Sequence, residues 1–234
     1  MLLTPFYTTK DNLISVSATQ ASDFAKLQCF DFNPIHDPDN KRFCVPGDLL
    51  FSLALHTYGV SESMSFTFTN MVGADMALNF PETDENSIVI TNAQGKSVLE
   101  IERKGKINRD SHFVESLIKN YGQFSGQNFP TLLMPLMKEH DVMFNPNRPL
   151  VMYNSMSFEF ESVDFEQSMR LELADSTLEV EPKRANSYLH FDIFDGDKLS
   201  GKGIKKLVIA GLKPYDEEVI TEFVKGYEAR RDAF

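Results

Sequence analysis

No tryptophan occurs among the 234 residues, and cysteine occurs only twice, at Cys29 and Cys44. Two cysteines in a chain of this length build neither a disulfide framework nor a multi-cysteine zinc site, so both read as small buried hydrophobes with reduced thiols. Long apolar runs are missing too, since no stretch approaches the roughly 20 uninterrupted apolar residues that a membrane helix needs. The segment Met1 to Lys10 has neither a basic start nor an apolar signal core, so export is not expected. Positive charge is scarce: 23 Lys and Arg stand against 34 Asp and Glu, leaving a formal net charge of −11 and a pI near 4.9. Nucleic acid and anionic membrane are gripped mainly through Lys and Arg, so neither is expected as a partner. A cytoplasmic protein that handles small molecules fits better, and the basic runs Arg103 to Lys106 and Lys202 to Lys206 could still meet a phosphate.

Phenylalanine is plentiful, at 20 residues in a chain that is 42% hydrophobic, enough for a sizeable core or for a Phe-lined acyl pocket. Gln20 to Leu27 reads as a short helix capped by Ser22 or Asp23. It runs into DFNPIHDPDN, whose Asp, Asn and Pro content makes an ordered turn. From Asp48 to His56 an apolar run without β-branched residues predicts a buried central helix. Ser63 to Asn70 then alternates polar and apolar residues at period two, the pattern of a strand with one buried face. Further strands are expected at Ala77–Phe80, Ser87–Thr91 and Ser97–Lys104, the last two joined by a turn at Gly95.

The order recurs. Ser155-Met-Ser-Phe-Glu-Phe160 matches Ser63-Met-Ser-Phe-Thr-Phe68 at five of six positions. Upstream, Pro130 to His140 runs parallel to Pro46 to His56, and strand-like stretches come later at Met169–Leu173, Thr177–Glu181, Ser187–Phe194 and Lys205–Ala210. Internal duplication is the better explanation. A helix wrapped by a curved antiparallel sheet, present twice, predicts an α+β double hotdog, divided here into residues 1–110 and 111–234 and acting as a built-in pseudo-dimer. Two such chains could associate further as a homodimer.

The segment with chemical content is Asp31-Phe32-Asn33-Pro34-Ile35-His36, followed by Pro46-Gly47 at the start of the long helix. It resembles the motif of the MaoC-like, (R)-specific enoyl-CoA hydratases: Asp, any residue, Asn, Pro, an aliphatic residue and His, then a glycine opening the central hotdog helix. The resemblance implies that Asp31 and His36 are the catalytic pair and that the Gly47 amide faces the thioester oxygen. It implies that Asn33 and Pro34 shape the loop. Phe30 and Phe43, with Asn33, are the candidate substrate contacts. The implied substrate is an acyl-CoA, and no cofactor or metal is expected. The likeness is dense from about Ala25 to Leu50. Over its whole length the chain also resembles an uncharacterised bacterial family of no established function. Three positions depart from the hydratase pattern: Phe30 stands where a small residue precedes the Asp, Pro46 where His often precedes the glycine, and Leu55 where a helical serine supports the Asp.

Hydrating an unsaturated thioester needs a base for the attacking water and an acid for the α-carbon, and two titratable groups of different pKa on one stiff loop can supply both. Pro34 fixes its own φ and restricts Asn33, giving that stiffness. Developing enolate charge can be met by an amide at a helix start. Other readings compete. A DxNP segment is often only an Asx-turn, with its His a loop hydrogen-bonder. His36, Asp37 and Asp39 could offer metal ligands, although too few for a specific site. His56 and His140 read as helix caps. Thioester hydrolysis, or acyl-CoA binding without turnover, are the functional alternatives. The second half has no DxNPxH, and its loop at Gly126 to Phe129 lacks any acid or His.

Overall fold

The computed structural model describes residues 2–126 and 128–234; Met1 and Gln127, which fall in two of the segments named for Met1 to Lys10 and Gly126 to Phe129, lie outside the described residues. Two short strands, β1 (Thr8–Lys10) and β2 (Leu13–Ser15), precede α1 (Ala18–Cys29). Then come α2 (Gly47–Tyr58), β3 (Val60–Phe68), β4 (Leu78–Asn79), β5 (Ser87–Asn92) and β6 (Ser97–Asn108). The second half has α3 (Ser111–Gly126), α4 (Leu133–Glu139), β7 (Val142–Met143), β8 (Val151–Phe160), β9 (Met169–Glu181), β10 (Arg184–Asp195), β11 (Lys198–Ala210), β12 (Lys213–Pro214) and α5 (Glu217–Asp232). Among the described residues, ten strands form one antiparallel sheet in the order β1-β2-β4-β5-β6-β3-β8-β11-β10-β9. The fold is an α+β double hotdog, with α2 and α3 as the two central helices.

The duplicated hexapeptides pair with each other. β3 and β8 are adjacent and antiparallel, with Ser63 opposite Glu159, Ser65 opposite Ser157 and Thr67 opposite Ser155. Ser65 and Ser157 are equivalent positions of the repeat, so a pseudo-two-fold axis passes between them. β6 flanks β3 as β11 flanks β8, and β5 and β10 lie beyond them in matching order. Period-two alternation sends Met64 and Phe66 from β3, and Met156 and Phe158 from β8, into the core.

Several expectations need correcting. The central helix of the second half is α3, not the Pro130–His140 run. Phe113, Leu117 and Tyr121 recur every four residues on one buried face, with Val114 and Ile118 beside them, a stronger helical stripe than the short run after Pro130. That short run forms only the two-turn α4. The cap of α1 is Ser17, whose hydroxyl accepts from the Gln20 amide while the Gln20 side chain returns to the Ser17 amide. Ser22 is instead buried inside the helix. The two strands expected at Met169–Leu173 and Thr177–Glu181 are one, interrupted by a register shift opposite His190 and Phe191. The amphipathic α5 is an addition to the expected elements. No helix among the described residues is long and apolar enough to cross a membrane.

α2 is buried nearly all round, and Phe51 is its hub: its ring lies 4.9 Å from Phe66, 4.7 Å from Tyr121 and 6.4 Å from Phe158, touching both halves. Phe51→Ala is expected to cost about 3–5 kcal/mol, read as a lower urea midpoint. A single transition should persist, because the ring belongs to a shared core; two separated transitions would show halves that unfold independently.

Candidate active site

The DFNPIH loop is held at nearly every backbone group. Phe30 closes α1 in the left-handed conformation, φ 54°, and the Asp31 amide donates back to Ala25 O at 2.9 Å. The Asn33 amide donates to Asp31 Oδ1 at 2.9 Å and the Ile35 amide to Asn33 Oδ1 at 3.2 Å, two successive Asx-turns. Asn40 Nδ2 donates to Pro34 O at 2.7 Å, the Cys44 amide donates to Ile35 O at 3.1 Å, and Lys26 pairs with Asp37 at 2.9 Å. From above, Tyr227 of α5 accepts the Phe32 amide at 3.1 Å and stacks edge-on against the Phe32 ring. Pro34 opens a single 3-10 turn that carries His36.

These bonds bring Asp31 and His36 together. His36 Nδ1 lies 2.7 Å from Cys44 O. A carbonyl only accepts, so Nδ1 carries a proton and Nε2 is left to face the acid. Nε2 stands 3.7 Å from Asp31 Oδ2, too far for a direct hydrogen bond, with side chains 13% and 21% exposed. Burial pushes the Asp31 carboxyl above its ordinary range, with Asp48 adding to the rise, while His36, the Asn33 amide and Lys205 pull it back. A carboxyl with a raised pKa is a stronger base when ionised.

Two cavities meet at this loop, sharing Ile35, Val151 and Tyr153 as a partition. The larger, about 360 Å³, is lined by His36, Gly47, Asn70, Tyr153 and Arg184 among mainly apolar neighbours. The smaller, about 100 Å³, is lined by Asp31, Asn33, Asp48, Ser125 and Lys205. Gly47 is at the α2 N-terminus, whose first turn has no side-chain cap. A Cβ there would fall 2.4 Å from the Tyr153 ring, so only glycine lets that ring lie against the helix start.

Two of the expected contacts are not in these cavities. Phe30 is 57% exposed, because the left-handed turn that ends α1 swings its side chain outward. Phe43 packs against the edge of the core instead of lining either cavity. Asp37 is engaged by Lys26, and among the described residues no group of three or more His, Cys, Asp or Glu side chains is arranged to hold a metal ion.

Sequence reasoning missed the polar cluster beside Asp31. Ser125 Oγ donates to Asp48 Oδ2 at 2.5 Å, Lys205 Nζ donates to Ser125 Oγ, and Nζ lies 3.6 Å from Asp48 Oδ1. All three residues are buried, and they come from α2, α3 and β11. The close docking of α1 on α3 brings them near Asp31: a Cβ on Gly126 would fall 1.4 Å from Cys29 O. One signal was available. Lys205, Leu207 and Ile209 occupy alternate positions of an apolar strand, which turns Lys205 inward. Its counterpart in the first half is Arg103, since Met64 pairs with Arg103 and its repeat mate Met156 pairs with Lys205. Arg103 is also buried, and donates to the carbonyls of Glu85 and Tyr58.

Residues 1–218 match the model of the family described as "Protein of unknown function (DUF3581)", which ends within the first turn of α5. No curated protein matches. Among solved structures, the chain is similar in fold to the acyl-CoA thioesterase II of Mycobacterium marinum, with 10% identity over 92% of this chain and 100% of that one, TM-score 0.45. It is similar to a conserved hot dog protein of unknown function from Alicyclobacillus acidocaldarius, with 6% identity over 92% and 99%, TM-score 0.45. It is also similar to the 12:0-ACP thioesterase of Umbellularia californica, with 6% identity over 89% and 90%, TM-score 0.34. Likeness at this level assigns no activity.

The raised Asp31 carboxyl has a consequence for stability. The folded chain holds that proton more tightly than the unfolded one, so stability falls as pH rises from the ordinary carboxyl value, 3.8, through the raised one. Asp31→Asn should therefore melt above wild type at neutral pH, with the difference closing near about pH 4. Thermal melts at both pH values check this, and a difference of the same size at each would contradict it.

Proposed function

The chain belongs to that family of unknown function, and from its site geometry we propose that it binds an acyl thioester and directs a water molecule at it through Asp31 and His36. The observation that carries this reading is the 3.7 Å gap between Asp31 Oδ2 and His36 Nε2, held open by a loop with little freedom to close it. A water touching both groups fits such a gap better than a direct bond does. The thioester carbonyl would lie toward the uncapped start of α2, where the helix dipole favours negative charge. The larger cavity, reached by His36 and Gly47, is mainly apolar and of a size for a small ligand.

In the hydration reading, ionised Asp31 takes a proton from water as its oxygen bonds to the β-carbon. The double-bond electrons shift toward the thioester oxygen, and His36, when its Nε2 is also protonated, returns a proton to the α-carbon. Dehydration is the reverse. The likeness of Asp31–His36 to the MaoC-like motif supports this reaction. Hydrolysis is the second reading: the same water attacks the thioester carbon, Asp31 again takes its proton, and the carrier leaves as a thiol. Leu55, fully buried where the hydratase pattern has a helical serine, weakens the hydration reading and favours binding without turnover. Neither reaction calls for a cofactor. On this reading residues 1–110 carry the loop and residues 111–234 close the site.

Purified protein given crotonyl-CoA and its longer homologues, and saturated acyl-CoAs in parallel, should either deplete the enoyl absorbance or release free thiol. Asp31→Asn and His36→Ala should each lower kcat by about 10²–10⁴-fold. Ligand binding without either product would overturn the catalytic reading and leave a binding protein.

A further inference from the structure

Removing an ammonium and a carboxylate from water is costly unless each polar valence is answered. The cluster behind Asp31 leaves some unanswered. Lys205 has three donors, yet its hydrogen bond is to Ser125, and its other close neighbours are the faces of Tyr153, at 4.2 Å, and Tyr121, at 5.9 Å. Asp48 spends Oδ2 on Ser125, while Oδ1 is shut off from solvent with no hydrogen-bond partner. The 3.6 Å between Nζ and Oδ1 is too long for the two to satisfy each other. Arg103, at the equivalent place in the other half, donates from Nε and Nη1 to two backbone carbonyls and leaves Nη2 without a partner. Lys205 and Asp48 instead line the small cavity, together with Asp31.

We propose that this cavity is a subsite for a hydroxyl group carried on the acyl chain, away from the reacting carbons, which accepts from Lys205 Nζ and, as the Asp48 carboxylate turns toward the cavity, donates to its Oδ1. A hydroxyl is both donor and acceptor, and so matches one spare acceptor facing one spare donor. Charge excludes the obvious rivals: two carboxylates, Asp31 and Asp48, outnumber the single ammonium, so a carboxylate or phosphate is repelled. A plain hydrocarbon end would strand both buried groups. Leu133, Phe144, Val151 and Leu207 form walls for the methylenes leading to the hydroxyl, and a volume of about 100 Å³ keeps the chain short. The thioester end would remain at Asp31 and His36, so this inference rests on the function proposed above and names the substrate class it selects.

The test is calorimetric binding of hexanoyl-CoA, ω-hydroxyhexanoyl-CoA and adipoyl-CoA to the full chain. The hydroxylated ester should bind about tenfold more tightly than the plain one, the size of one hydrogen bond to a charged group. The carboxylate-bearing ester should bind most weakly. Lys205→Met should erase the preference for the hydroxyl while hexanoyl-CoA still binds. Should that variant fail to fold, Asp48→Leu, which keeps the branched heavy-atom shape and has no polar atom to meet the hydroxyl, carries the same test. Equal wild-type affinity for the hydroxylated and plain esters, or a preference that survives in the folded variant, overturns the subsite and leaves the acyl-thioester reading standing. Failure of all three esters to bind sinks both.

Discussion

The antiparallel pairing of β3 with β8 is the constraint on which the rest of the molecule depends. It joins two copies of one hexapeptide across a pseudo-two-fold axis between Ser65 and Ser157, and so merges two small sheets into one. Each half alone would leave an unpaired central strand edge and one exposed side of its helix. Paired, the halves share a core in which Phe51 of α2 packs against Tyr121 of α3 and against inward residues of both central strands.

That seam also places the buried polar cluster. With α2 and α3 side by side, the start of α2 meets the end of α3, so Asp48 from one half touches Ser125 from the other, with Lys205 beneath them. The DFNPIH loop arrives at the same point because α1 docks on α3 through Gly126. α5 then closes over the loop through Tyr227. The two halves differ here: the equivalent cation of the first half, Arg103, meets the carbonyls of Tyr58, at the end of α2, and Glu85, while Lys205 meets a carboxylate contributed by the other half.

Local signals are legible where one residue type enforces one geometry. Asp31 and Asn33 each turn their side-chain oxygen to an amide two residues on, and Pro34 starts the turn that presents His36. Alternation marks β3, and a mainly apolar run without β-branched residues marks the centre of α2. Matching Pro130 to Pro46 misleads, because one proline and a short apolar run say less than the longer helical stripe of α3. The hydrophobicity of Phe30 suggests a cavity contact, but its direction depends on a left-handed turn that sequence pattern does not specify for a phenylalanine.

The sequence by itself determined the helix-and-strand order of the first half, the repeated hexapeptide, the stiff loop and the acid and imidazole on it, because turn chemistry and hydrophobic period act over a few residues. Only the tertiary structure decided that the two hexapeptides pair with each other, that α5 seals the loop, and that Asp48, Ser125 and Lys205 meet beside Asp31. Those three residues lie far apart in the chain, and no local interaction links them. Their meeting results from how two helices and a strand pack across the seam, a property of the whole core.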